Sequence, residues 1–187
     1  MVDVFLMGTA GSVTDAHRSN WREPIKAICK QLGVQYYDPT EHTRDWDETM
    51  GRHEVAIMKE CKVIVMAITA DTAGLASLAE SGWAALSALK RGQAFGLYIT
   101  PEFEDKSMGP AQRLGSKIDA LLGYKYDSVE AASRRARTLA LGHAMTLAME
   151  FPDVELYIAN DLAKLTRWTE TTLRKLKTPQ VAKTSQS

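Results

Sequence analysis

A chain of 187 residues with 45% hydrophobic content can bury one substantial core and does not demand a second. Its 23 basic and 23 acidic side chains cancel, so no overall field draws in nucleic acid or an anionic membrane. Two cysteines, Cys29 and Cys61, with no further thiol at ligand spacing, indicate neither a disulfide framework nor a zinc site.

The elements follow in order. Val2 to Met7 is a short apolar run closed by Gly8, which suits a buried strand and a glycine-bearing turn. Trp21 to Leu32 carries Trp21, Ile25, Ile28, Cys29 and Leu32 at helical period, with Pro24 in the first turn and Gly33 at the end. Val34 to Tyr37 reads as a second strand stopped by Asp38-Pro39, and Asp47 to Lys62 as a second helix with Val55, Ile57, Met58 and Cys61 inward. The run Val63 to Ile68 is continuously apolar and rich in β-branched residues, as expected of a strand covered on both faces. An alanine- and leucine-rich helix to Arg91 and a fourth strand, Ala94 to Ile99, complete the alternation. The expectation is an α/β fold: a doubly wound, flavodoxin- or Rossmann-like parallel sheet of about five strands with extra C-terminal helices.

Beyond Pro101 the pattern loosens. Pro101 to Pro110 reads as a loop, Ala111 to Leu122 and Ser128 to Met149 as helices, and Tyr124 to Tyr126 as a short fifth strand between them. Val154 to Ile158 reads either as a strand or as an apolar link, and Asp161 to Lys177 as a basic amphipathic helix. The expected division is an α/β domain over 1–150, a helical extension over 151–177 and a disordered polar tail over 178–187. Met1 to Gly8 has no basic leader and no apolar run approaches about 20 residues, so a cytoplasmic location is expected.

In open parallel sheets the crevice lies beyond the carboxyl ends of the strands. That directs attention to Gly8 to Asn20, Thr69 to Ala79 and Thr100 to Met108. Gly8-Thr9-Ala10-Gly11-Ser12 lets backbone amides approach an anion or a sugar, or is a plain tight turn; it has neither a P-loop lysine nor a dinucleotide fingerprint. Asp71 leads into Glu80, about a turn into the third helix. Side chains lean toward a helix N-terminus, so Glu80 can reach the crevice; the alternative is a surface acid favoured by the helix dipole.

Four segments, Val4-Phe-Leu-Met-Gly8-Thr, Trp21-Arg22, Asp45-Trp46 and Glu80-Ser-Gly82-Trp-Ala84, resemble the nucleoside 2-deoxyribosyltransferase superfamily, and its 2-deoxyribosyltransferase-like branch in particular, over roughly residues 2 to 140. The resemblance implies N-glycosidic chemistry on a (deoxy)nucleoside or nucleoside monophosphate without a metal or cofactor. Glu80 would be the nucleophile, Asp71 would contact or protonate the base, and Glu54 would hold sugar hydroxyls. Gly8, Thr9, Ser12, Arg22, Asp45 and Trp46 complete the expected binding set. Each residue has a second reading: Glu54 as a solvated helix residue beside Arg52 and Lys59, Asp71 as a turn or capping aspartate, Trp46 as a cover for the sheet edge. Arg22 would either bind phosphate or pair with Glu23 and Asp15. His17 to Asn20 reads as a polar insertion that could close over ligand.

The chain departs from the family at Phe5, where several members carry a tyrosine whose hydroxyl holds the glutamate, and at Lys62, where many carry an acid. Either another donor, Thr9 or a tyrosine such as Tyr37, supplies the hydroxyl, or the carboxylate is less well fixed and turnover is slow or absent. Alternative functions are an NAD or nucleotide-derivative glycohydrolase and a non-catalytic nucleotide-binding module. Lys164, Arg167, Arg174, Lys175 and Lys177 read as a solvated face in preference to a nucleic-acid surface, because no aromatic platform beyond Trp168 accompanies them. The small residues of Ala76 to Leu89 and Ala131 to Met149 suit close helix packing, and a homo-oligomer is expected.

Overall fold

The computed structural model describes residues 2–9, 20–42, 47–103, 114, 118, 121 and 129–178. Its elements are β1 (Val4–Gly8), α1 (Arg22–Leu32), β2 (Tyr36–Tyr37), α2 (Glu48–Glu60), β3 (Val63–Ile68), α3 (Leu75–Lys90), β4 (Ala94–Ile99), α4 (Val129–Glu150), β5 (Leu156–Ala159) and α5 (Leu162–Lys177). The expected strand at Tyr124 to Tyr126 and the tail 179–187 lie outside the described residues, as does most of the expected helix Ala111 to Leu122.

All five strands are parallel, in the order β2-β1-β3-β4-β5. The doubly wound sheet read from the alternation is therefore present. Every residue of β3 is buried, as its unbroken apolar run requires of a strand paired on both edges and covered on both faces. One face packs Phe5, Met66, Ile68, Phe95 and Leu97 against α2, α3 and α4; the other packs Val4, Leu6, Val63 and Val65 against α1 and α5.

Residues 151–177, read from the sequence as a helical extension, supply both a strand and a sheet-covering helix. Leu97 pairs with Ile158 across β4 and β5, and α5 lies over β4 beside α1. Gly96 makes this contact possible, since a Cβ there would stand 2.2 Å from the Trp168 ring, which itself stacks on Tyr157. The basic residues of α5 are largely engaged along its outer side: Arg174 with Glu170 at 2.7 Å, Lys175 with Glu155 at 3.6 Å and Lys177 with the carbonyls of Leu32 and Gly33. Lys62, just before β3, pairs with Asp3, just before β1, at 2.9 Å.

Residues Trp21 and Arg22 fasten the top of β1. Trp21 Nε1 donates to the Thr9 carbonyl at 3.2 Å; Arg22 Nη1 donates to the same oxygen at 2.6 Å and Nη2 to Gly8 O at 3.2 Å. Arg22 Nε faces Asp38 Oδ1 at 3.2 Å, and Lys26 reaches Asp38 Oδ2 at 2.7 Å and Glu23 and Glu41 each at 3.0 Å. Asp38, directly after β2, also accepts from the Thr40 amide and hydroxyl. The cluster thus ties α1 to the ends of both strands.

Burial lowers the Arg22 guanidinium to about 10, with Asp38 offsetting only part of that cost. Burial alone would raise Asp38, yet Lys26, Arg22 and Thr40 outweigh it and hold the carboxyl below 3.8. Lys26 also overcomes its desolvation, raised above 10.5 by Asp38, Glu23 and Glu41. The thiols of Cys29 and Cys61 are pushed up by burial to about 11 and about 12, which suits small buried hydrophobes.

Asp38→Asn should destabilise the chain by about 3 kcal/mol at neutral pH, because it strands two buried cations. Since the folded pKa of Asp38 is depressed, its contribution is present above the unfolded value and lost as pH falls through the folded one. Urea unfolding of wild type and variant at pH 7 and pH 3 should therefore show the gap narrowing in acid; a gap independent of pH would refute the ionic account.

Candidate functional site

The winding changes face between β1 and β3: α1 lies on one side of the sheet and α2, α3 and α4 on the other. The switch point of an open sheet is where its carboxyl-end loops part and leave a crevice. Here the two strands come unusually close. Gly8 has φ of 117°, and a Cβ there would sit 2.1 Å from the Ala67 carbonyl oxygen, so the glycine expected to face substrate has a structural requirement of its own. Thr9 is buried; its amide donates to Ala67 O at 2.8 Å and its hydroxyl accepts from the Thr69 amide at 3.0 Å. These bonds lock the ends of β1 and β3 together and use the Thr9 hydroxyl internally.

Arg22 stands beside this junction, buried, with its Nη atoms on the carbonyls of Gly8 and Thr9 and its Nε facing Asp38 without a hydrogen bond. It does not pair with Glu23, which instead serves Lys26, and Asp15 lies outside the described residues. Bonded to the carbonyls of Gly8 and Thr9, the buried guanidinium has a structural role in tying α1 to β1. Ser12, Asp45 and Trp46, together with His17 to Ser19, lie outside the described residues.

Glu80 occurs in the second turn of α3, on its exposed side, while Ser81, Ala84 and Ala85 face inward. Among the described residues it has no hydrogen-bonding or ion-pairing partner. Partial desolvation first, and then the negative charge of Glu54 on α2, raise its carboxyl above 4.5. The structure thus brings together the expected nucleophile and the expected sugar-binding acid, from two helices on the same face. It does not bring Glu54 out as a purely solvated residue, since that side chain is half-buried.

Asp71 is exposed in the loop after β3, where Thr69 Oγ1 donates to Oδ2 at 2.5 Å. It does not cap α3; that position is taken by Gly74, with φ of 64°, whose amide donates to Thr72 Oγ1 at 3.2 Å. The carboxylate therefore stays available at the loop surface.

The ring of Phe5 stacks on Tyr37 of the neighbouring strand, centroids 5.2 Å apart and planes at 27°. The Tyr37 hydroxyl pairs with His42 Nε2 at 2.8 Å, and the His53 ring meets Tyr37 edge-on at 5.9 Å. Neither Tyr37 nor Thr9 takes the place of the missing first-strand hydroxyl at Glu80. Phe5 is instead absorbed into an aromatic stack.

One residue escaped the sequence reading altogether. Arg137 of α4 is completely buried and has no carboxylate against it among the described residues: Nε donates to Ser133 Oγ at 3.0 Å, Nη1 to the carbonyls of Ile68 at 3.2 Å and Thr100 at 2.9 Å, and Nη2 to those of Thr69 at 2.9 Å and Thr72 at 2.8 Å. Phe103 lies 5.8 Å from its guanidinium carbon. The only sequence signal was its place on the small-residue stripe with Ser133, Ala140 and Ala144, unlike Arg134 and Arg135. Burial lowers its pKa.

Between α3 and α4 a groove of about 410 Å³ is lined by Leu75, Leu78, Gly82, Leu139, His143 and Leu147 among others. Among the described residues no group of three or more His, Cys, Asp or Glu could hold a metal ion, and no helix is long and apolar enough to cross a membrane.

Comparison with known structures finds a conserved protein from Enterococcus faecalis V583 at 14% identity and TM-score 0.48, covering 92% of this chain and 99% of that one. It also finds the TIR domains of the activated Roq1 resistosome directly recognizing the pathogen effector XopQ, at 14% identity and TM-score 0.47, covering 94% and 99%. No curated protein matches. Residues 1–93, which include Gly8, Trp21-Arg22 and the whole of Glu80 to Ala84, match the family described as nucleoside 2-deoxyribosyltransferase like.

Proposed function

We propose that the protein cleaves or exchanges the base of a (deoxy)nucleoside or its monophosphate, with Glu80 as nucleophile. The carrying observation is a carboxylate of the family-matched segment that has no cationic partner among the described residues, is partly desolvated and lies in the field of Glu54. A carboxylate neutralised by an ion pair would attack poorly; this one is not neutralised.

In the proposed reaction a Glu80 oxygen forms a bond to C1 of the sugar as the C1–N bond breaks, and the bonding electron pair leaves with the base. The transition state is oxocarbenium-like. Asp71, exposed and oriented by the Thr69 hydroxyl, delivers the proton that the departing nitrogen needs. Glu54, on the neighbouring helix, accepts hydrogen bonds from sugar hydroxyls. Water or an acceptor base then attacks C1 and gives its proton back to Asp71, while the C1–Glu80 bond breaks and its electron pair leaves with the Glu80 carboxylate. Water gives hydrolysis and a base gives transfer. Nothing in this sequence of steps calls on a metal or a cofactor.

We also propose that the protein associates with copies of itself through the outer faces of α3 and α4. They expose Leu75, Trp83, Leu139, Met145 and Met149, an apolar patch with the groove between the helices at its centre.

Three outcomes are expected. Incubation with deoxynucleosides and their monophosphates should liberate free base, followed by chromatography, and Glu80→Ala should reduce the rate about 1000-fold or more, as for loss of a covalent nucleophile. Unchanged release in Glu80→Ala would sink the assignment, and nicotinamide release from a dinucleotide in the same assay would shift the substrate class.

Stability offers a second check. The folded form binds the Glu80 proton more tightly than the unfolded chain, so ionisation costs stability as pH rises through and above 4.5. Glu80→Gln should therefore melt above wild type at pH 7 and together with it near pH 3, read by calorimetry; a lower Tm for Glu80→Gln at pH 7 would contradict this environment.

For association, light scattering coupled to size exclusion should give a mass above one chain for wild type. Leu139→Glu with Met145→Glu should return it to 20.7 kDa, and a monomeric wild type would end the proposal.

A further inference from the structure

The loop between β3 and α3 has to place Asp71, yet its internal bonds are few: Thr69 to Asp71 and Thr72 to Gly74. Apart from the Thr69 amide, which donates to the Thr9 hydroxyl, its backbone is held from α4, 60 and more residues along the chain. Ser133 donates to the Ala73 carbonyl at 2.8 Å, while Arg137, one helical turn on, takes the carbonyls of Ile68, Thr69 and Thr72. Four carbonyls of the 68–73 segment thus end on two side chains of one helix. Thr100, beyond β4, is held by the same guanidinium.

The chemistry of this contact is selective. A guanidinium has five N–H donors in a rigid plane, and Arg137 makes five hydrogen bonds, to four carbonyls and one hydroxyl. A lysine has three donors converging on one atom and cannot span acceptors from three separate segments. Gly74 belongs to the same design: a Cβ there would lie 3.3 Å from Arg137 Nη2 and 2.8 Å from Ile68 Cγ2, and its positive φ turns the chain into α3 directly over the guanidinium. The absence of a carboxylate partner matters too. A salt bridge would have fixed the arginine to one side chain; carbonyl acceptors make the backbone itself the object that is held.

Because Nη2 bonds the Thr69 carbonyl and the Thr69 hydroxyl bonds Asp71, the guanidinium is one residue removed from the proposed acid. We propose that Arg137 is a positioning residue of the crevice, holding Asp71 and the start of α3 in place through the backbone of Thr69, Thr72 and Thr100. This rests on the glycosidic reading for its catalytic consequence, but not for its structural one. It also gives α4, which lies outside the family-matched segment 1–93, a direct part in the site.

The test uses the full chain as wild type, Arg137→Lys and Ser133→Ala, the second being milder because it removes one bond to Arg137 and one to Ala73. Amide hydrogen exchange by mass spectrometry should show segment 69–78 exchanging about tenfold faster or more in Arg137→Lys and less so in Ser133→Ala, with β1, α1 and α5 unchanged. Uniform acceleration along the chain in both variants, or none at 69–78, overturns the proposal. In the base-release assay both variants should lose kcat, Arg137→Lys by about tenfold or more, with KM within about threefold, as misplacement of a reacting group predicts. A loss confined to KM, or an unchanged kcat, overturns the positioning role. If wild type releases no base, the glycosidic reading falls, and the exchange pattern alone decides for or against Arg137.

Discussion

Parallel strands that end in a buried crevice leave carbonyl oxygens pointing past the last ladder bond, and each costs free energy unless a donor reaches it. Here one guanidinium meets those of Thr69, Thr72 and Thr100 at once, and gives a second donor to that of Ile68, which already accepts from the Thr100 amide. It thereby ties the ends of β3 and β4 to α4 and sets the direction in which the chain enters α3. Asp71 hangs from that loop and Glu80 follows from that helix. The positions of both proposed catalytic acids depend on an arginine that never needs to touch substrate.

The chain buries cations in two different ways. Around Asp38 the charges compensate one another: Arg22 and Lys26 share one carboxylate, with Glu23 and Glu41 completing the shell of Lys26. At Arg137 no carboxylate is present among the described residues and backbone carbonyls meet its donors. Desolvation depresses both buried arginines, with Asp38 offsetting only part of it at Arg22, whereas Asp38, Glu23 and Glu41 together outweigh desolvation at Lys26 and raise it. The first arrangement fastens α1 to β1 and β2; the second fastens α4 to β3 and β4. The switch point lies between them, closed at its base by the approach of Gly8 to Ala67.

Much of this could be read from residue pattern. The unbroken run Val63 to Ile68 announced a central strand because only a strand covered on both faces can afford six consecutive apolar residues. The period of Trp21 to Leu32 and of Asp161 to Lys177 announced helices that the structure places within one residue of those limits. The Val154 to Ile158 run was ambiguous for a physical reason: a four-residue edge strand has no periodicity to distinguish it from a link, and its identity comes from pairing with β4. The proposed site rests on residue types around Glu80, within the segment 1–93 that matches the family. What Arg22 does was not legible, because an arginine opening a helix looks the same whether its partner is a ligand phosphate or a buried aspartate.

The sequence by itself therefore determined the layers, the order of strands and helices, and the carboxylate on which the proposed chemistry turns. These are properties of local pattern, where hydrophobic period and turn residues act over a few positions. Tertiary structure alone decided which charges meet. Glu80 feels Glu54 across two helices, Phe5 finds Tyr37 across two strands, and Arg137 reaches carbonyls as many as 69 residues away. Such pairings depend on directions and distances between elements, which residue order does not encode locally. Among Arg134, Arg135 and Arg137, only the helix rotation that α4 adopts against β3 and β4 selects the one that is buried.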